Sequence, residues 1–186
     1  MGGGGDSKKI LYSQNQILST KDFILKATKA GLGKYWALWG KVLSRSVYVE
    51  SLHSLQDLTT NKVLLIAEDA LQFVAFLMHS KTCACINEIL YHYYENETSI
   101  SQRANKEKLD LSVENHYFVI KAILKLGSKF GIFQQYLAQI FAIELQICAI
   151  NEKRQLQKSF WYYIATSLQK KFLRFKQWIS IFSLQL

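Results

Sequence analysis

Proline is absent from all 186 residues of this chain. A proline removes a backbone donor and breaks helices, so its absence leaves long helices unopposed. Glycine is scarce and bunched: of the nine, four form Gly2 to Gly5, and the rest fall at Gly31, Gly33, Gly40, Gly127 and Gly131. A sandwich or barrel needs turn residues at short, regular intervals, and this chain does not have them. The three cysteines, Cys83, Cys85 and Cys148, are too few and too odd in number for a disulfide framework. They suit a reducing compartment, with Cys148 as a small core residue.

Catalytic patterns are missing too. There is no phosphate-binding glycine loop, serine elbow, kinase set or zinc-protease motif, so nothing supports an enzyme and no cofactor is implied. Glu50 and His53 match the Glu-x-x-His half of a di-iron bundle, but a second copy and further inward glutamates are lacking. Glu88 and His92 stand one turn apart near Cys83 and Cys85, without the four-ligand spacing of a structural zinc site. Surface histidines are the better reading. Asn96-Glu97-Thr98 has the form of a glycosylation acceptor with no secretory signal ahead of it, and reads as an unmodified loop. Met1-Gly2 has Asp6 where a myristoylation start wants Ser or Thr, so residues 1–18 are expected to be a flexible glycine-rich leader. Residues 19–186 then form a single helical domain.

Acid is the last scarcity. The formal charge is +9, from 23 basic and 14 acidic residues, and between Lys153 and Lys176 every charged side chain is basic. Such a segment suits anionic lipid headgroups, nucleic acid or an acidic protein surface, or is simply a solvated face.

What the chain has in abundance is helical periodicity. From Leu109 to Ile150 apolar residues recur at intervals of three or four, with Lys121, Lys125 and Lys129 on another edge and a break at Gly127 to Gly131. Upstream, Ser19-Thr20-Lys21-Asp22 has capping-box form and opens a first helix expected to reach about Trp39, where Tyr35, Trp36 and Trp39 crowd its end. A second helix, Lys41 to Leu58, gathers Leu43, Val47, Tyr48, Leu55 and Leu58 on one arc. That face must be covered, either by the rest of a bundle or by the headgroup region of a bilayer. From Lys62 to His79 the chain is apolar nearly all round and is expected to stay helical to about Tyr94. Glu68 and Asp69 at its centre make a membrane span costly, by about 2.5 kcal/mol or more for the aspartate.

The last segment carries Phe160, Ile164, Leu168, Phe172, Phe175 and Ile179 at helical spacing, edged by Lys158, Lys170, Lys171 and Arg174. This pattern fits a helix lying on a membrane or against a bundle, with basic side chains snorkelling outward. Phe160, Trp161, Tyr162 and Phe172 could also stack on bases, but no nucleic-acid module accompanies them, so nucleic acid is the weaker partner. The class is therefore all-α: a bundle of five or six long, partly amphipathic helices. It should break near Gly40, Thr59 to Asn61, Asn96 to Asn105, Gly127 to Gly131 and Asn151 to Lys153. No sheet is expected. Phe73, Phe76, Ile123, Phe133, Leu137 and Phe141 are the expected core.

DFILKATKAGLGKYW (Asp22 to Trp36), GKVLSR (Gly40 to Arg45), NKEKL (Asn105 to Leu109) and HYFVIKAIL (His116 to Leu124) occur in an order that resembles the peroxin-eleven family of peroxisomal membrane proteins. The resemblance implies a protein at the peroxisomal membrane that promotes organelle curvature, elongation or division. In that picture the Lys41 to Leu58 helix wedges between anionic headgroups, Lys41 and Arg45 form its basic side, and Leu109 to Ile150 anchors or oligomerises. The alternative is a non-catalytic helical subunit of a larger assembly, mitochondrial or cytoplasmic, packed on partner helices as a homo- or hetero-oligomer.

Overall fold

The computed structural model describes residues 15–59, 62–88, 106–157 and 159–185. Among them are six α-helices and one two-stranded ribbon: β1 (Gln16–Ser19), α1 (Thr20–Ala30), α2 (Arg45–Thr59), α3 (Glu68–His79), β2 (Thr82–Cys85), α4 (Lys106–Gly127), α5 (Ile132–Leu156) and α6 (Phe160–Gln185). The chain is all-α in class, as its composition predicts. The expected loops over Asn96 to Asn105 and at Thr60 and Asn61 lie outside the described residues.

Local chemistry sets the helix boundaries. The Ser19 hydroxyl accepts from the Asp22 N–H at 3.0 Å and donates to its carboxylate at 2.6 Å, which starts α1 as the capping pattern predicts. The helix stops well short of Trp39. Gly31 turns it at φ +96°, a backbone state open to glycine, and a single 3-10 turn, Leu32–Lys34, follows. Gly40 makes a second positive-φ turn at +72°, so α2 begins at Arg45 rather than Lys41.

The helix from Lys62 is also shorter than expected. It begins at Glu68, which puts Glu68 and Asp69 in its first turn, where the dipole favours acids, instead of at its centre. The Asp69 carboxylate also accepts from the Leu38 N–H at 3.4 Å. At the other end, extended Ser80 ends the helix, and Thr82–Cys85 becomes a strand rather than more helix. It pairs antiparallel with Gln16–Ser19, Leu18 opposite Cys83 and Ser19 opposite Thr82. This ribbon corrects the expectation of no sheet, and residues 16–18 belong to it rather than to a leader. Leu18, Cys83 and Cys85 turn toward the core while Ile17 and Ala84 face out, the alternation of a half-buried strand pair.

The centre of the molecule is the α4–α5 hairpin. Residues 128–131 join the two helices at the predicted break, and Gly127 lets them approach closely: a Cβ there would lie 2.5 Å from that of Ala138. Lys121, Lys125 and Lys129 stay on the exposed side. α5 is apolar nearly all round because it packs against α3, α4 and α6. Phe141 is fully buried and makes an edge contact with Phe73 at 6.0 Å, which makes another with Phe23 at 6.2 Å, linking α5, α3 and α1. Ile123, Leu137 and Phe133 join that core as expected, and Phe76 is buried beside Tyr48. α5 also runs past the break expected at Asn151 to Lys153 and ends at Leu156. Asn151 and Glu152 are used as contact residues on its faces, so their polarity does not mark a turn.

Candidate functional site

Two helices carry amphipathic faces in the sequence, and the structure disposes of them in opposite ways. On α2, Leu55 is buried, Leu58 packs on the core and Val47 is half-buried, while Tyr48 is 46% exposed with its ring 6.3 Å from that of Phe76; Leu43 is half-buried in the segment that precedes the helix. The bundle covers this face at Leu55 and Leu58. Beside it runs an open groove of about 650 Å³ between α2 and α3, lined by Tyr48, Leu52, His53, Leu64, Glu68 and Gln72. Lys41 precedes α2 and does not reach outward. Its ammonium donates to the Ala37 carbonyl and lies 4.8 Å from the Phe73 centroid, and burial lowers its pKa against the opposing pull of Asp69. Arg45 is exposed at the start of the helix.

α6 is turned the other way. Thr166, Leu173, Gln177, Ser180 and Leu184 face inward and are buried. Outward stand Phe160, Ile164, Leu168, Phe172, Phe175 and Ile179, the predicted stripe, joined by Trp161, Trp178 and Phe182. Phe160 is 70% exposed, Trp161 76% and Trp178 58%. Phe175, Trp178 and Phe182 stack in sequence at 6.2 and 5.7 Å, one ladder along the outer surface. At 1.5 Å per residue the helix is about 39 Å long, and exposed aromatics recur from Phe160 to Phe182, a grouping of the kind that marks an interaction surface.

The inner face is held by polar bonds. The Arg174 guanidinium forks onto the Glu144 carboxylate, with Nη2 to Oε1 at 3.2 Å, and donates to Gln177 Oε1 at 2.7 Å. Gln177 in turn donates to Glu144 at 3.1 Å and to the Ile140 carbonyl at 3.3 Å. Ser180 donates to Gln139 at 3.1 Å, and Arg154 reaches across from α5 to Thr166 and Ser167, each at 2.7 Å. Leu173, with Ile143, Ile147 and Ile150, is the apolar cluster of the seam. Cys148 lies in this neighbourhood, and burial, with Glu144 and Glu152 adding, pushes its thiol up to about 11.

The basic residues expected as an interface divide. Lys171 is exposed within the aromatic strip, and the Lys176 ammonium lies 4.7 Å from the Phe172 centroid. Lys170 donates to Asn151 at 2.8 Å, and its pKa is lowered by burial and by the nearby cations Arg154 and Arg174. Arg174 is half committed to Glu144, and Lys158 lies outside the described residues.

A second polar cluster ties α4 to α5. Ser112 donates to Glu152 Oε1 at 2.7 Å, and His116 Nδ1 lies 2.7 Å from the Ser112 carbonyl and 3.3 Å from Glu152 Oε2. Burial would lower the His116 pKa, but the bond and charge of Glu152, with the Ser112 carbonyl, raise it. The serine proton goes to the glutamate and not to the imidazole, so the trio is a clasp rather than a nucleophile and its base. Glu50 meets His79 at 3.3 Å instead of sharing a metal with His53, and no three His, Cys, Asp or Glu side chains converge among the described residues. No helix among those residues is long and apolar enough to cross a membrane.

Sequence reasoning found the α6 stripe from its spacing. It missed the seam made by Glu144 and Gln177, for which the one acid inside the apolar run of α5 before Ile150 was the available signal. Comparison of the chain with protein-family models, curated proteins and solved structures finds no match.

Proposed function

We propose that this chain is a peripheral membrane protein that lays the outer face of α6 into one leaflet of a bilayer. The supporting observation is the orientation of that helix: Thr166, Gln177 and Ser180 are buried against protein with Leu173 and Leu184, while its aromatic arc faces out. In water the hydrophobic effect favours the reverse, whereas against acyl chains polar groups belong inside and apolar groups outside. The half-exposed aromatics gain burial on insertion, on the order of 1.5 kcal/mol each at the low end of the usual range. Trp and Phe also suit the interfacial depth. A 26-residue helix lying in one leaflet expands that leaflet, which favours curvature, the activity implied by the peroxin-eleven resemblance. The peroxisome as compartment rests on that resemblance alone.

Vesicle flotation tests this directly. Wild type should float with liposomes and its tryptophan emission should shift to the blue. The double variant Phe175→Glu with Trp178→Glu should stay in the unbound fraction while keeping wild-type helicity. Wild type that floats with no vesicle composition overturns the proposal and leaves the face to a partner helix.

A further inference from the structure

Granted that the aromatic face enters a bilayer, we infer that the cationic edge of α6 built by Arg154, Lys170 and Arg174, with Lys171 beside it, seats the phosphate headgroups of anionic lipid. Three cations crowd one place. Arg154 reaches from α5 to bond Ser167 at 2.7 Å and its guanidinium lies 4.4 Å from the Tyr163 centroid. On α6, Lys170 lies one turn from Thr166, which Arg154 bonds, and one turn from Arg174, and it donates to Asn151 at 2.8 Å; Glu144 is the acid that binds Arg174. The remaining positive charge lies along the border of the aromatic strip, the depth at which headgroup phosphates sit when a helix lies in the interface. Lys170 and the exposed Lys171 provide point-charge donors for phosphate oxygens, while Arg154 and Arg174, bonded to Ser167 and Glu144, add to the positive field there.

Charge also decides among occupants. A second copy docked face to face would bring Lys170, Lys171 and Lys176 against the same cations, with no acid from Lys153 to Lys176 to meet them. An anionic lipid surface is complementary on both counts, apolar below and negative above.

The experiment compares vesicles of neutral phosphatidylcholine with vesicles containing phosphatidylserine. Wild type should bind the anionic vesicles more tightly, with the difference shrinking in high salt. The pair Lys170→Gln and Lys171→Gln leaves the Arg174–Glu144 fork untouched and should weaken anionic-vesicle binding roughly tenfold or more while leaving neutral-vesicle binding unchanged. The pair Lys121→Gln and Lys125→Gln, on the exposed side of α4, removes the same charge elsewhere and should change binding less than twofold; thermal melting checks that both variants fold. Equal wild-type binding to the two vesicle types overturns the headgroup seat but not the membrane reading. So does equal weakening by both pairs, which reduces the effect to net charge. Displacement by millimolar inorganic phosphate overturns lipid as the source of the anion, and tighter binding of single-stranded RNA, lost in the Lys170 and Lys171 pair, reassigns the edge to nucleic acid. Absence of binding to any vesicle defeats the membrane reading itself, and the seat with it.

Discussion

α2 and α6 are both amphipathic, and they spend their apolar faces on opposite sides. α2 turns Leu55 and Leu58 into the protein and leaves His53, Gln56 and Asp57 in water. α6 turns Gln177, Ser180 and Thr166 into the protein and leaves Phe160, Phe175 and Trp178 outside. Periodicity therefore announces that a face needs cover without saying whose. What decides is the partner surface: α3 offers α2 an apolar flank, while α5 offers α6 the carboxylate of Glu144 and the guanidinium of Arg154. Polar groups on α5 that would be costly to bury alone select the polar arc of α6.

The contrast breaks most visibly at Leu55. Leu55→Glu puts an unpaired charge into the core and should cost on the order of 4 kcal/mol, a large part of a typical domain's stability. The cooperative thermal transition should be lost or moved far down, whereas the Phe175 and Trp178 double variant should melt as wild type does. If Leu55→Glu melts like wild type, α2 is not core and the two helices are alike after all.

A smaller effect is expected in the seam that orients α6. Glu144→Leu leaves the Arg174 fork and the Gln177 amide without their shared acceptor and should cost about 1–3 kcal/mol in urea unfolding. Vesicle binding should weaken as well, because the rotation of α6 is no longer fixed. Unchanged stability would mean that the fork is ornamental and that Leu173, Leu184 and the remaining bonds to α5 hold the helix.

The smallest effect belongs to the α4–α5 clasp, which is a polar lock inside the protein as the Glu144 seam is at its edge. The folded-state pKa of His116 is raised above its ordinary 6.5. The clasp's contribution is accordingly full below pH 6.5 and is lost as pH rises through the folded value. Urea midpoints should fall from pH 6 to pH 8 in wild type more than in His116→Gln. Identical pH profiles would remove charge from the account of this contact.

Much of this was legible beforehand, and the failures share a cause. The capping pattern at Ser19, the Gly127 to Gly131 break and the core around Phe73 and Phe141 depend on neighbours in sequence or on strong periodicity. The misplaced ends of α1 and α3 depend on single backbone states. Gly31 at positive φ overrode a helical pattern that continued through it, and Ser80 handed Thr82–Cys85 to a strand partner far up the chain. The α6 stripe could be read from spacing, but its direction could not. That direction is set by Glu144 and Arg154, two side chains on another helix whose reach no one-dimensional pattern records.

The ribbon has a kinetic side. Thr20 bonds the Ser80 carbonyl sixty positions away, and with Ser19 against Thr82 it closes the first three helices into one loop, whereas the α4–α5 hairpin turns over a handful of residues. Closing a loop of that size costs about 3–4 kcal/mol of chain entropy before any contact repays it. The hairpin should thus form early and the ribbon late, so that the amides of β1 exchange with deuterium well before those of α4. The N-terminal strand is then the latch of the molecule, last to shut and first to open, and its strength governs how long the native state survives once formed more than how quickly it is reached.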